Sequence, residues 1–120
     1  MKPSPAPFEI EHRIREDGIA VIRLAGRIML GQESARIETL TRELLAAGRR
    51  KLILDVSGVT HIDSTGIGRF ISSLNQTMQA GGQLLLAGAG GVVRDGFRVT
   101  RLDTVFQFAP DVETAATRFR

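Results

Sequence analysis

"KLILDVSGVTHIDSTGIGRFISSLNQTM", residues 51–78, contains the change of hydrophobic period on which the fold depends. Its first part, residues 52–56, is predominantly apolar, as in a strand that is buried on both faces of a sheet. Further along, apolar residues recur at helical spacing, at Ile67, Phe70, Ile71, Leu74 and Met78. The junction between these two parts reads Asp63, Ser64, Thr65 and Gly66. The stretch therefore predicts a buried strand that passes directly into an amphipathic helix.

The rest of the chain continues this alternation of strands and helices. Two strands are predicted at residues 8–14 and 18–26, with a turn at Asp17-Gly18 between them. Further strands are predicted at 52–56, 83–88 and 104–108, and helices at 37–45, 67–78, 93–100 and 112–119. The resulting order, β-β-α-β-α-β-α-β-α, indicates an α/β fold with a central, mostly parallel mixed β-sheet and crossover helices.

Length and composition limit the classes of function. A chain of 120 residues fits one domain, which we expect at residues 8–120, after a disordered N-terminal segment at residues 1–7. There is no cysteine and there are only two histidines, so we expect neither a metal nor a cofactor.

The net charge of +3, the scattered arginines and the absence of tyrosine and tryptophan argue against direct nucleic-acid binding. No apolar run approaches the roughly 20 residues that span a bilayer, and the N-terminus lacks a signal-peptide core. We expect a cytoplasmic protein with no membrane span.

The junction at residues 61–68 has three interpretations: a catalytic nucleophile, a phosphate-binding turn, or a serine that itself receives a phosphate. A hydrolase nucleophile requires G-x-S-x-G around the serine, and the upstream glycine is replaced by Ile62. His61 is only three residues from Ser64, too local to indicate a triad. We therefore do not predict an enzyme.

A second glycine-rich segment, "GAGGVV" at residues 88–93, follows a predicted strand and precedes a predicted helix. It fails the G-x-G-x-x-G pattern because Val93 occupies the last position, so a tight turn with positive φ is favoured over a phosphate cradle. Arg94, Arg98 and Arg101 have the spacing of one helix face, and a solvated face is favoured over a basic binding patch.

The helix after the junction has more capping residues than it needs. Either Asp63 or Ser64 can accept a hydrogen bond from the free N–H groups of the first turn, and Gly66 and Gly68 are expected to leave the helix start bare. Such a start presents the Ser64 hydroxyl to a partner. The inward stripe should be Ile67, Phe70, Ile71 and Leu74, and the outward stripe, next to Ser64, should be Thr65, Arg69, Ser72 and Gln76.

The segment from residue 52 to 88 resembles the central signature of the STAS domain (sulfate transporter and anti-sigma factor antagonist). The matching elements are the buried strand, Asp-Ser-x-Gly at residues 63–66, the helix, Gly81-Gly82 and the next strand. The resemblance implies the STAS fold, and a stand-alone domain is similar to bacterial anti-sigma factor antagonists. One departure is Met29, at a position where family members commonly carry an acidic residue; the nearest acid is Glu33.

The resemblance also implies a partner-switching role. Such antagonists bind an anti-sigma factor that is a serine kinase, and so release a sigma factor that regulates transcription. Phosphorylation of the serine ends the binding, and a serine phosphatase restores it. The matching serine is Ser64, and the implied partner-binding residues are Asp63, Ser64, Thr65, Gly66, Arg69 and Ser72.

We expect a monomer or weak dimer. The alternative is a STAS module that does not switch, such as a stress-signalling scaffold or a cytoplasmic subunit of a lipid transport system.

Overall fold

A computed structural model describes residues 8–119 of the chain. The segment at residues 1–7, predicted to be disordered, lies outside the described residues. The strands are β1 (Glu9–Ile14), β2 (Ala20–Ile28), β3 (Lys51–Ile62), β4 (Gln83–Ala87) and β5 (Gln107–Ala109). The helices are α1 (Arg36–Ala46), α2 (Ser64–Gln79), α3 (Gly91–Val99) and α4 (Val112–Ala116). The predicted order of elements is confirmed.

The five strands form one sheet in the order β1-β2-β3-β4-β5. Only β1 is antiparallel to its neighbour, and the turn between β1 and β2 contains Gly18 at φ +86°. The three other pairs are parallel, so the predicted mostly parallel mixed sheet is confirmed. Apolar residues of α1, α2 and α3 pack on one face of the sheet, and those of α4 pack on the other.

Strand β3 is longer than the sequence predicts, since it continues to Ile62 and not only to Val56. Its second half pairs with the end of β2 alone, because β4 stops at Ala87, opposite Asp55. With a neighbour on one side only, this half is mostly exposed or half-buried, with Val59 as its one buried residue, and it lacks the apolar run that marks the first half. The extension carries the chain beyond the carboxyl end of β4 to Ile62, and α2 begins two residues later.

Three predictions in the C-terminal part are wrong in detail, and one of them is the length of α4, which ends at Ala116 and not at residue 119. Strand β5 contains only residues 107–109, because residues 103–105 form turns before it. Helix α3 ends at Val99, and Arg101 lies beyond it with φ +60°, so the three arginines do not share a helix face. The guanidinium of Arg94 lies 4.4 Å from the centre of the Phe108 ring, and Arg98 contacts the carboxylate of Asp95. These contacts do not form a basic patch.

The turn that leads into α3 has the predicted conformation. Gly88 adopts φ +73°, and a Cβ at this position would lie 2.8 Å from the Cβ of Ser57. A close approach and a left-handed backbone both require glycine here. Within residues 8–119, none of the helices combines the length and the apolar character needed to cross a bilayer.

Candidate functional site

Asp63 joins the start of α2 to the loop that follows β2. One carboxylate oxygen, Oδ1, accepts a hydrogen bond from the Gly66 amide at 2.8 Å, which makes Asp63 the N-cap of the helix. The other oxygen, Oδ2, accepts from the amide of Leu30 at 2.9 Å. The Asp63 amide in turn donates to the carbonyl of Ile28. The side chain therefore fixes the relative position of two segments that are far apart in sequence.

The ionisation of Asp63 reflects these contacts. Partial burial of the carboxylate raises its pKa, but the amides of Gly66 and Leu30 stabilise the anion, and the net result is a lowered pKa. A carboxylate whose pKa is lower in the folded state adds stability at pH values above its unfolded pKa, near 4. This contribution is lost as the pH falls through the folded pKa.

We expect Asp63→Asn to destabilise the domain at neutral pH by about 1–2 kcal/mol. The amide oxygen of asparagine can replace one acceptor, but its NH₂ group would face the second backbone donor. Urea unfolding at pH 7 and at pH 3 measures the effect, and the difference between the variant and the unmodified chain should shrink at pH 3. An equal difference at both pH values would show that the Asp63 charge does not act as described.

Ser64 is the first residue of α2, and its side chain is exposed. Its hydroxyl has no hydrogen-bond partner among residues 8–119, since Asp63 already caps the helix. His61, the histidine nearest in sequence, contacts the hydroxyl of Thr60. No base activates Ser64 within the described part of the chain, so the arrangement presents a free hydroxyl at a helix start without the features of a nucleophile.

The two glycines of the first turns have different roles. Gly66 is buried, and an added Cβ would collide with the carbonyl oxygen of Ile28 and lie 2.9 Å from its Cγ2. Gly66 therefore permits close packing of α2 against the end of β2, and the prediction that it leaves the surface bare is wrong. Gly68 is exposed, and an added Cβ would have no neighbour within 4 Å. For Gly68 the prediction is confirmed.

Arg69 and Ser72 were predicted to point outward, and this prediction is wrong. The Arg69 Nη1 atom lies 2.7 Å from the Oε1 atom of Glu38 on α1, and the Ser72 hydroxyl donates to the other carboxylate oxygen at 2.7 Å. Arg69 also donates to the Ser34 hydroxyl and to the carbonyl of Gly31. Both residues are half-buried between α1 and α2. Their contacts fix α1 and its preceding loop beside the start of α2.

The ionisation of Glu38 agrees with this arrangement. The hydrogen bond from the Ser72 hydroxyl lowers the pKa of Glu38; burial raises it, and the hydrogen bond from Arg69 lowers it again. The net direction is downward, so the carboxylate is ionised at neutral pH. Deeper between the same helices, the Thr41 hydroxyl donates to the Ser73 hydroxyl at 3.0 Å. The contact between α1 and α2 thus includes an ion pair and hydrogen bonds between hydroxyl groups and their partners.

The exposed side of α2 is rotated from the predicted one. Thr65 and Gln76 are also half-buried, because α1 packs beside α2 where solvent was expected. The exposed residues of α2, together with the half-buried Ile71, lie within roughly 100° of arc around Ser64. We call this set the α2 stripe; it consists of Ser64, Gly68, Ile71, Asn75, Met78 and Gln79. Ile71 packs against the core, in agreement with its predicted inward position, and the other five are exposed. Ser73 and Thr77 are buried although they are polar. These two small hydroxyl residues are the feature of the sequence that could have indicated which side of α2 is buried.

The loop beside Ser64 carries an exposed apolar residue that the sequence analysis did not single out. Met29 is half-buried, and its sulfur lies 3.7 Å from the Nη2 atom of Arg27. Leu30 follows it and is 81% exposed, although its amide is bound to Asp63. Glu33 is exposed in the same loop. The loop therefore presents Leu30 next to the helix start. The described residues contain no cluster of three or more potential metal ligands.

Comparison with known proteins identifies the family. The profile of the STAS domain matches residues 12–115. A protein of Bordetella bronchiseptica with the provisional name anti-sigma factor antagonist BtrV is 30% identical over 107 residues, which cover 87% of this chain and 89% of that protein.

Solved structures share the fold. The crystal structure of an anti-sigma factor antagonist from Mycobacterium paratuberculosis has a TM-score of 0.80 at 21% identity and covers 98% of this chain and 97% of that one. The phosphorylated form of the Bacillus cell fate determinant SpoIIAA has a TM-score of 0.68 at 23% identity and covers 95% of this chain and 100% of that one. The profile match, the Bordetella relative and the shared fold agree, and the chain belongs to the STAS domain family.

Proposed function

We propose that this chain is an anti-sigma factor antagonist that acts by partner switching. In this role the chain binds an anti-sigma factor, which is a serine kinase, and thereby releases a sigma factor. The kinase phosphorylates Ser64, and the phosphorylated chain dissociates until a serine phosphatase removes the phosphate. The role is binding and not catalysis. The name of the Bordetella relative supports the anti-sigma factor as the partner.

The observation that carries the proposal is the free hydroxyl of Ser64. This hydroxyl is exposed and has no hydrogen-bond partner within residues 8–119. The capping function that a serine often has at such a position belongs to Asp63. A kinase can therefore reach and modify Ser64 without breaking a contact of the fold. Thr65, the neighbouring hydroxyl residue, is half-buried and less accessible.

We expect Ser64 to be the principal phosphoacceptor. The purified chain is incubated with ATP and each serine kinase of ATPase fold from the same organism, and the phosphate is located by mass spectrometry. Ser64→Ala should abolish the modification, and Thr65→Ala, the matched control, should leave it intact. Modification confined to Thr65 would contradict the assignment. No modification, together with co-purification of membrane permease subunits, would favour the transporter alternative.

A further inference from the structure

The α2 stripe lacks charge over its whole length. Arg69 is the one ionisable residue of α2, and it is paired with Glu38 outside the stripe. With 24% charged residues in the chain, a helix of sixteen residues would carry about four on average. A free helix surface is normally rich in charge, whereas the centre of a protein–protein interface is depleted of it. The composition of the stripe is that of an interface.

Exposed apolar side chains lie at both ends of this stripe. Leu30, 81% exposed, is held beside the Ser64 end by the bond from its amide to Asp63. Met78, 62% exposed, lies at the other end and lines a groove of about 250 Å³ with Leu74 and Val105. The helical rise of 1.5 Å per residue separates Ser64 and Met78 by about 21 Å. Two such side chains can act as anchors, because burial of an exposed Leu or Met side chain removes apolar surface from water.

We propose that the anti-sigma factor docks along the entire α2 stripe and on Leu30 beside its first residue, with an uncharged surface that has apolar recesses for Leu30 and Met78. This inference rests on the proposed function and extends it, since it assigns the extent of the docking surface and the chemistry of the partner. Phosphate on Ser64 would then add a charge at one end of an otherwise neutral interface, where no cation of the stripe can compensate it. A partner surface that is complementary to this neutral stripe would not supply such a cation either.

A charge placed in the middle of the stripe tests this inference. Asn75→Asp adds one negative charge at nearly constant shape, and Leu30→Ala removes one apolar anchor. The matched control is Thr39→Asp, which adds the same charge at an exposed position of α1 that lines a different cavity. Affinity for the kinase that modifies Ser64 is measured by calorimetric titration. We expect Asn75→Asp and Leu30→Ala to weaken binding at least about tenfold, and Thr39→Asp to change it less than about twofold.

The salt dependence of binding gives a second readout. A neutral interface should show less than about a threefold change in affinity between 50 and 500 mM NaCl, because screening acts on charges. Strong salt dependence, or unchanged binding of Asn75→Asp to a kinase that still phosphorylates Ser64, would overturn the docking surface but leave the proposed function intact. Failure of every candidate kinase to bind would overturn both. Self-association of the chain that Asn75→Asp abolishes, without any effect on kinase binding, would assign the stripe to a second copy and contradict the inference.

Discussion

Gly66→Ala should lower the free energy of unfolding of the domain by about 3 kcal/mol or more. We expect no substitution of another glycine near Ser64 to have a larger effect on stability. The added methyl group would collide with the carbonyl oxygen of Ile28 and its Cγ2 atom. This oxygen belongs to the backbone of β2 and also accepts the hydrogen bond from the Asp63 amide, so it cannot move aside at low cost. Thermal unfolding should show a midpoint lowered by about 10 °C or more.

Gly68→Ala is the matched control, because it makes the same chemical change half a helical turn away. An added Cβ has no neighbour within 4 Å at this exposed position. Alanine has the higher helix propensity, so the midpoint should rise by a few degrees, corresponding to about 0.5–1 kcal/mol. Equal effects of the two substitutions would show that α2 does not pack against Ile28 as described.

The order of elements was predictable because each element has its own hydrophobic period. The apolar run of β3 and the helical spacing of α2 are local properties of the sequence. The location of Ser64 at the helix start followed from the same reasoning, because capping residues and glycine are local signals as well. The role of Asp63 as the cap was one of two alternatives, and the bond of its second oxygen to Leu30 depends on a residue 33 positions away. Sequence spacing carries no information on such a contact.

The outward side of α2 was mispredicted because a helical pattern distinguishes apolar from polar residues and not buried from exposed ones. Arg69 and Ser72 are polar, but α1 supplies Glu38 as their common acceptor, so they lie between the helices. Conversely, Met78 is apolar but exposed. The same limitation applies to Gly66, whose small size serves packing against Ile28. In each case a neighbouring element decides the environment, and that element is distant in sequence.

Phosphorylation of Ser64 should abolish most binding to the anti-sigma factor while the domain stays folded. A phosphate adds about −1.5 to −2 charges at pH 7. At the N-terminus of α2 the helix dipole favours an anion by about 0.3–1 kcal/mol, and repulsion from the adjacent Asp63 carboxylate opposes this. Because the Ser64 hydroxyl has no partner among residues 8–119, the modification breaks no described contact. The stability should therefore change by less than about 1 kcal/mol, or roughly 3–6 °C in the midpoint.

Affinity should respond differently, because a partner that covers Ser64 has to remove water from the phosphate. Burial of a charge without a compensating cation costs several kcal/mol, and each 1.4 kcal/mol corresponds to a tenfold change in affinity. We expect at least a tenfold loss for phosphorylated protein, and no loss for Ser64→Ala, which stays bound because it cannot be modified. Calorimetric titration with the anti-sigma factor, alongside thermal unfolding of both forms, separates the two effects. Equal affinity of the two forms would refute the switch, and lost binding with a large drop in the midpoint would mean that the phosphate acts by unfolding α2.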